Sequence, residues 1–147
     1  MITKRDLFSI SAASVVCACS GTVAAAQTTI KIGELNSYKA QPAFLDPYRK
    51  GWELAVEEIN GKGGVLGKKL ELISRDDGGT PGDAVRVANE LVTREGVNIL
   101  AGTFLSNIGL AVTEFAGKEK VFFLAAEPLT DKITWQDGNR YTFRLRP

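Results

Sequence analysis

Apolar positions along this chain switch between two periods. Ile30-Lys31-Ile32-Gly33-Glu34-Leu35 alternates and predicts a strand. After a polar segment from Asn36 to Leu45, Tyr48, Trp52, Ala55, Val56 and Ile59 fall on one helical stripe. Asp46-Pro47 reads as its N-cap and first residue, and Gly61-Lys62-Gly63-Gly64 as its end. Leu70–Ser74 predicts a second strand, which closes at Asp76-Asp77 as a solvated strand end. Thr80-Pro81-Gly82-Asp83 opens a second helix with the stripe Ala84, Val87, Ala88 and Leu91, stopped at Gly96. Val97–Ala101 is a third strand. Ser106 or Asn107 caps a third helix, with stripe Ile108, Ala111, Val112 and Phe115, which ends at Gly117. Val121-Phe122-Phe123-Leu124 reads as a strand buried on both faces, and Tyr141–Leu145 as a fifth strand.

This alternation predicts an α/β fold, a doubly wound, mostly parallel sheet flanked by helices. Such sheets bind ligands at the carboxyl ends of their strands. Here those ends are Glu34–Tyr38, Gly102–Asn107 and Ala125–Glu127.

The first 26 residues stand outside the pattern. Lys4-Arg5, an apolar core from Leu7 to Ala18 and the exit Ala24-Ala25-Ala26 predict a secretory signal peptide cleaved after Ala26. The destination is then a periplasm, and the mature chain a soluble one. Both cysteines, Cys17 and Cys19, lie in that leader, so residues 27–147 hold no thiol for a disulfide or a metal.

Composition removes several functions. With 18 Lys and Arg against 17 Asp and Glu, the chain lacks the basic excess of a nucleic-acid surface. It has no histidine, which excludes His-based triads and His-ligated zinc. Gly61-Lys62-Gly63-Gly64 follows a helix rather than a strand, so it is no dinucleotide fingerprint. Gly64–Lys69 lacks P-loop spacing. No metal, no cofactor and no catalytic constellation is expected.

The loops are better suited to holding a small ligand. Gly102-Thr103-Phe104-Leu105-Ser106-Asn107 delivers Ser106 to a helix N-terminus, where free N–H groups and a hydroxyl can receive a carboxylate. Tyr38 and Phe44 can wall an apolar part of it, and Glu127 can meet an amine or hydroxyl.

The motifs together resemble one family. Ile30-Lys31-Ile32-Gly33, Gly51-Trp52-Glu53-Leu54-Ala55-Val56-Glu57-Glu58-Ile59-Asn60, Gly63-Gly64-Val65-Leu66-Gly67-Lys68-Lys69-Leu70 and Asp76-Asp77 are similar to the solute-binding proteins of branched-chain amino acid type ABC importers, in the type I periplasmic-binding fold. The resemblance implies that residues 27–147 are most of the first of two lobes, the second being missing. It further implies an amino acid or small carboxylate ligand and a partner permease in the inner membrane. It assigns contacts to Ser37, Tyr38 and Phe44 after strand one, to Thr103, Ser106 and Asn107 after strand three, and to Ala126 and Glu127 after strand four. Ala125-Ala126-Glu127-Pro128 departs from the small hydroxyl residues usual there, which bears on ligand choice. The alternatives are a receptor's ligand-sensing domain of the same fold, a secreted enzyme on a flavodoxin-like sheet, or an inactive truncated product.

Overall fold

In the computed structural model, residues 29–146 are described. They form β1 (Thr29–Asn36), α1 (Pro42–Gly61), β2 (Lys69–Asp76), α2 (Pro81–Thr93), β3 (Ile99–Gly102), α3 (Ser106–Glu119), β4 (Phe122–Ala125) and β5 (Thr142–Arg144), with a 3-10 turn at Asp131–Ile133 before β5. The expected signal peptide lies outside the described residues. The strands make one sheet in the order β2-β1-β3-β4-β5, every pair parallel, as the strand–helix alternation predicts. The chain steps outward from β1 to β2, then crosses back to β3 on the other side. With right-handed crossovers this puts α1 on one face and α2 and α3 on the other. The reversal opens a crevice between the carboxyl ends of β1 and β3.

The main core lies on the face covered by α2 and α3. Ala84, Val87, Ala88 and Leu91 of α2 meet Ile108, Val112, Phe115 and Ala116 of α3 over Leu35, Leu100, Phe123 and Ala125 of the sheet. Thr80 caps α2, its hydroxyl accepting the Asp83 N–H, with Pro81 in the first turn.

Four expectations are corrected. First, α1 begins at Pro42, not Pro47. Ala40 and Gln41 N–H groups donate to the Ser37 carbonyl, so the chain is already turning there. Pro47 then sits within the helix, where exposed Ala43 leaves its carbonyl to water. Second, the α1 stripe is not core. Only Leu45 is fully buried, Trp52 is half-buried and Ile59 is exposed, because α1 lies chiefly against β2 and leaves the sheet beyond β3 open on that side. Third, β4 is buried on one face only. Phe123 is 0% exposed, whereas Phe122 is 40% exposed and stacks on Phe143 at 5.2 Å between ring centroids. Fourth, α3 runs past Gly117 and ends at Lys120, which is left-handed at φ 57°. Gly117 instead makes room for Asn139, whose amide donates to the Thr113 carbonyl.

Candidate functional site

At the crevice lies a cleft of about 450 Å³ lined by Phe44, Leu45, Tyr48, Phe104, Leu105, Ser106, Glu127, Leu129 and Arg146. Its walls come from the start of α1, the β3–α3 connection and the chain just beyond β4 and β5. Phe44 and Phe104 stack across its mouth, 6.0 Å between centroids at 24°. Three of the expected site residues, Phe44, Ser106 and Glu127, are brought together there.

Ser106 does not cap α3. The N-cap is Leu105, and Ser106 is the first helical residue, with no side-chain cap bond. The expected cap is replaced by backbone geometry. Gly102 and Thr103 both take positive φ, 108° and 63°. That turn lets the Thr103 N–H donate to the Leu35 carbonyl and the Ala126 N–H to the Gly102 carbonyl. The loops after β1, β3 and β4 are thus stitched together by backbone. The Ser106 hydroxyl is left uncommitted beside the N–H groups and partial positive charge of the helix start.

The remaining expected residues stand elsewhere. Tyr38 is buried outside the cleft's lining, toward the end of β2, with its hydroxyl donating to Glu34 Oε2 at 2.7 Å and the Arg49 guanidinium over its ring. Thr103 and Ala126 are buried in the stitched loops, and Asn107 is exposed on the outer side of α3. Ser37 is also spent internally: its hydroxyl donates to Asp77 at 2.8 Å. Asp76 and Asp77 are therefore not a solvated strand end. Asp77 also accepts the Gly79 N–H, and Asp76 accepts the Lys39 and Gly78 N–H groups, so the pair latches the loop after β2 to the loop after β1. Burial raises the Asp77 carboxyl above its ordinary range, opposed by the Gly79 N–H and the Ser37 hydroxyl, while Asp76 adds to the rise.

Leu45, Tyr48, Phe104, Leu105, Leu129 and Arg146 line the cleft without having been expected there. Phe104 and Leu105 could have been found from their place beside Ser106. Tyr48 was visible only as part of a helical stripe. Its hydroxyl is buried without a hydrogen-bond partner among the described residues, and burial raises its pKa well above that of a free phenol, helped by Glu34 and Glu127.

Glu34 is the least expected feature. It is 1% exposed, and its Oε2 accepts from both Tyr38 and Ser74, the latter at 2.6 Å. Desolvation raises its pKa above 4.5. Donors on Ser74, Tyr38 and Asn36 oppose the rise, and Asp77 adds to it. A carboxyl whose folded pKa is raised favours folding below its unfolded pKa and loses that contribution as pH rises through the folded value. Wild type should therefore lose stability relative to Glu34→Gln as pH rises from about 4.5. Urea unfolding of both proteins across acidic and neutral pH measures this. Parallel stability curves would mean that Glu34 carries no such penalty.

The family model described as "Periplasmic binding protein" matches residues 29–147. A Leu/Ile/Val-binding protein homologue of Brucella suis is 32% identical over 145 residues, 98% of this chain and 35% of the relative. The substrate-binding protein of a branched-chain amino acid transporter from Streptococcus pneumoniae, solved with isoleucine, superposes with a TM-score of 0.72 at 31% identity, over 79% of this chain and 33% of that one. A solute-binding protein of an ABC transporter from Rhodopseudomonas palustris, solved with 3,4-dihydroxybenzoic acid, gives 0.64 at 28%, over 80% and 31%. The chain thus spans about a third of the length of the relatives it matches.

Proposed function

The chain belongs to the periplasmic binding protein family, and from that premise we propose that it forms the first lobe of a solute-binding subunit of an ABC importer, which captures a small carboxylate-bearing ligand and carries it to a membrane permease. It is not an enzyme in this reading. Residues 1–26 act as an export signal cut after Ala26, and the protein works in the periplasm. The observation that carries the reading is the uncommitted Ser106 hydroxyl at the α3 N-terminus, facing an apolar cleft at the sheet's switch point. A carboxylate there accepts charge-assisted bonds from Ser106 and the helix N–H groups. Its apolar body packs against Phe44, Leu45, Phe104 and Leu105. A second lobe would enclose the rest, and closure would expel water.

The Leu/Ile/Val-binding relative and the isoleucine-bound structure support a branched-chain amino acid as ligand. The stacked Phe44–Phe104 pair supports a second reading, an aryl carboxylate such as that bound by the Rhodopseudomonas protein.

Ser106→Ala should weaken a carboxylate ligand by roughly 1–3 kcal/mol through loss of a bond to a charged group. Calorimetric titration of isoleucine and of 3,4-dihydroxybenzoate into wild type and variant tests this. Unchanged affinity for whichever of the two binds would remove Ser106 from the site.

A further inference from the structure

The cleft contains one pair of opposite charges, Glu127 and Arg146, joined at 2.7 Å between Oε2 and Nη1. Sheet register builds this pair. Ala125 of β4 faces Arg144 of β5, and the Leu145 N–H donates to the Ala125 carbonyl, so the ladder continues past the strands. Glu127 and Arg146 each lie two residues beyond the registered pair. Alternation of side chains along a strand then places them side by side. Neither residue is spent as a structural ion pair. Their side chains are 22% and 51% exposed, a range in which such pairs contribute little to stability. Among the described residues the contact uses one carboxylate oxygen and one guanidinium nitrogen. Glu127 Oε1 and the remaining guanidinium N–H groups stay free to turn to a ligand.

We propose that Glu127 and Arg146 form a charge-reading pair that selects a zwitterionic α-amino acid over an acid or an amine of the same shape. This rests on the ligand-binding reading above and deepens it. The ligand carboxylate lies between Ser106, the α3 N-terminus and the guanidinium of Arg146. Its ammonium goes to Glu127. A zwitterion substitutes its own two charges for the internal contact, so both protein charges stay paired. A carboxylate without an amine puts a second anion beside Glu127, so two negative charges share the single guanidinium of Arg146. An amine without a carboxylate does the reverse. The rejection therefore comes from the charge left unbalanced when a wrong ligand covers the pair and removes the water that screens it.

Ligand-observed NMR with the full chain tests this, because it reads affinities down to the millimolar range. The probes are leucine, 4-methylpentanoate (leucine without its amine) and 3-methylbutylamine (leucine without its carboxylate). Wild type is expected to favour leucine over each analogue by tenfold or more. Glu127→Gln should erase the preference over 4-methylpentanoate while keeping that over the amine. Arg146→Gln should do the opposite. Variants that weaken all three probes equally, or leave wild-type selectivity intact, would overturn the charge-reading role. Wild type that binds 4-methylpentanoate as well as leucine would overturn it too, while leaving the carboxylate-binding reading standing. Binding of none of the three would overturn the charge-reading role, and silence of 3,4-dihydroxybenzoate as well would overturn the carboxylate-binding reading with it.

Discussion

Phe123→Ala is expected to cost about 3–5 kcal/mol of folding stability, whereas Phe122→Ala, one residue away, should cost about 1 kcal/mol or less. Phe123 is among the largest fully buried side chains and joins Leu100, Ala125 and α3 in the core. Its removal leaves a cavity that close-packed neighbours cannot refill. Phe122 points to the opposite face, is 40% exposed and has Phe143 as its ring partner. Thermal or urea unfolding of the two variants measures the difference. Equal losses would show that both faces of β4 are covered, contrary to the structure.

Gly102→Ala should destabilise the fold by about 2–5 kcal/mol and disturb the site with it. Gly102 has φ 108°, outside the range an L-residue adopts comfortably. A Cβ added there would stand 2.5 Å from the Leu35 carbonyl oxygen and 3.0 Å from Glu34 Oε1. Both are held, the first by the Thr103 N–H and the second within the carboxyl that Tyr38 and Ser74 grip through Oε2. Relief requires the β3–α3 connection to move, and that connection carries Phe104 and Ser106. The expected result is a lowered unfolding midpoint together with weakened ligand binding. An unchanged midpoint would contradict the tight stitching of these loops.

Much of this architecture was readable from residue patterns because its causes are local. The α2 stripe, Thr80 as cap and Pro81 in the first turn are set by neighbours within a few residues, and all appear as expected. That the strands run parallel followed from strand–helix alternation, whereas their order is set by folding. What failed depended on distant contacts. Asp46-Pro47 carries a helix-start signal, but the turn at Ser37–Gln41 starts α1 earlier. Val121–Leu124 is as apolar as a doubly buried strand, yet nothing in the run tells that α1 stays over β2.

The site divides in the same way. Phe44, Ser106 and Glu127 could be placed because strand ends are where such sheets bind ligands. Tyr38 was an aromatic in the right loop, but its hydroxyl is committed to Glu34, a partner revealed only by folding. Glu34 was placed only as the start of a strand's carboxyl end, with no signal that its carboxyl would be buried. Arg146 had no local signal at all, since the β4–β5 register brings it to Glu127 across 19 residues.

The account stands on one claim, that the cleft beside the α3 N-terminus receives the ligand. Backbone amide NMR spectra recorded during titration with isoleucine test it most directly. The account predicts the largest shifts at the amides of Phe104, Ser106, Asn107 and Glu127, with little change in β2 or the far end of α2. Shifts centred elsewhere, or none at saturating isoleucine and 3,4-dihydroxybenzoate, would contradict it.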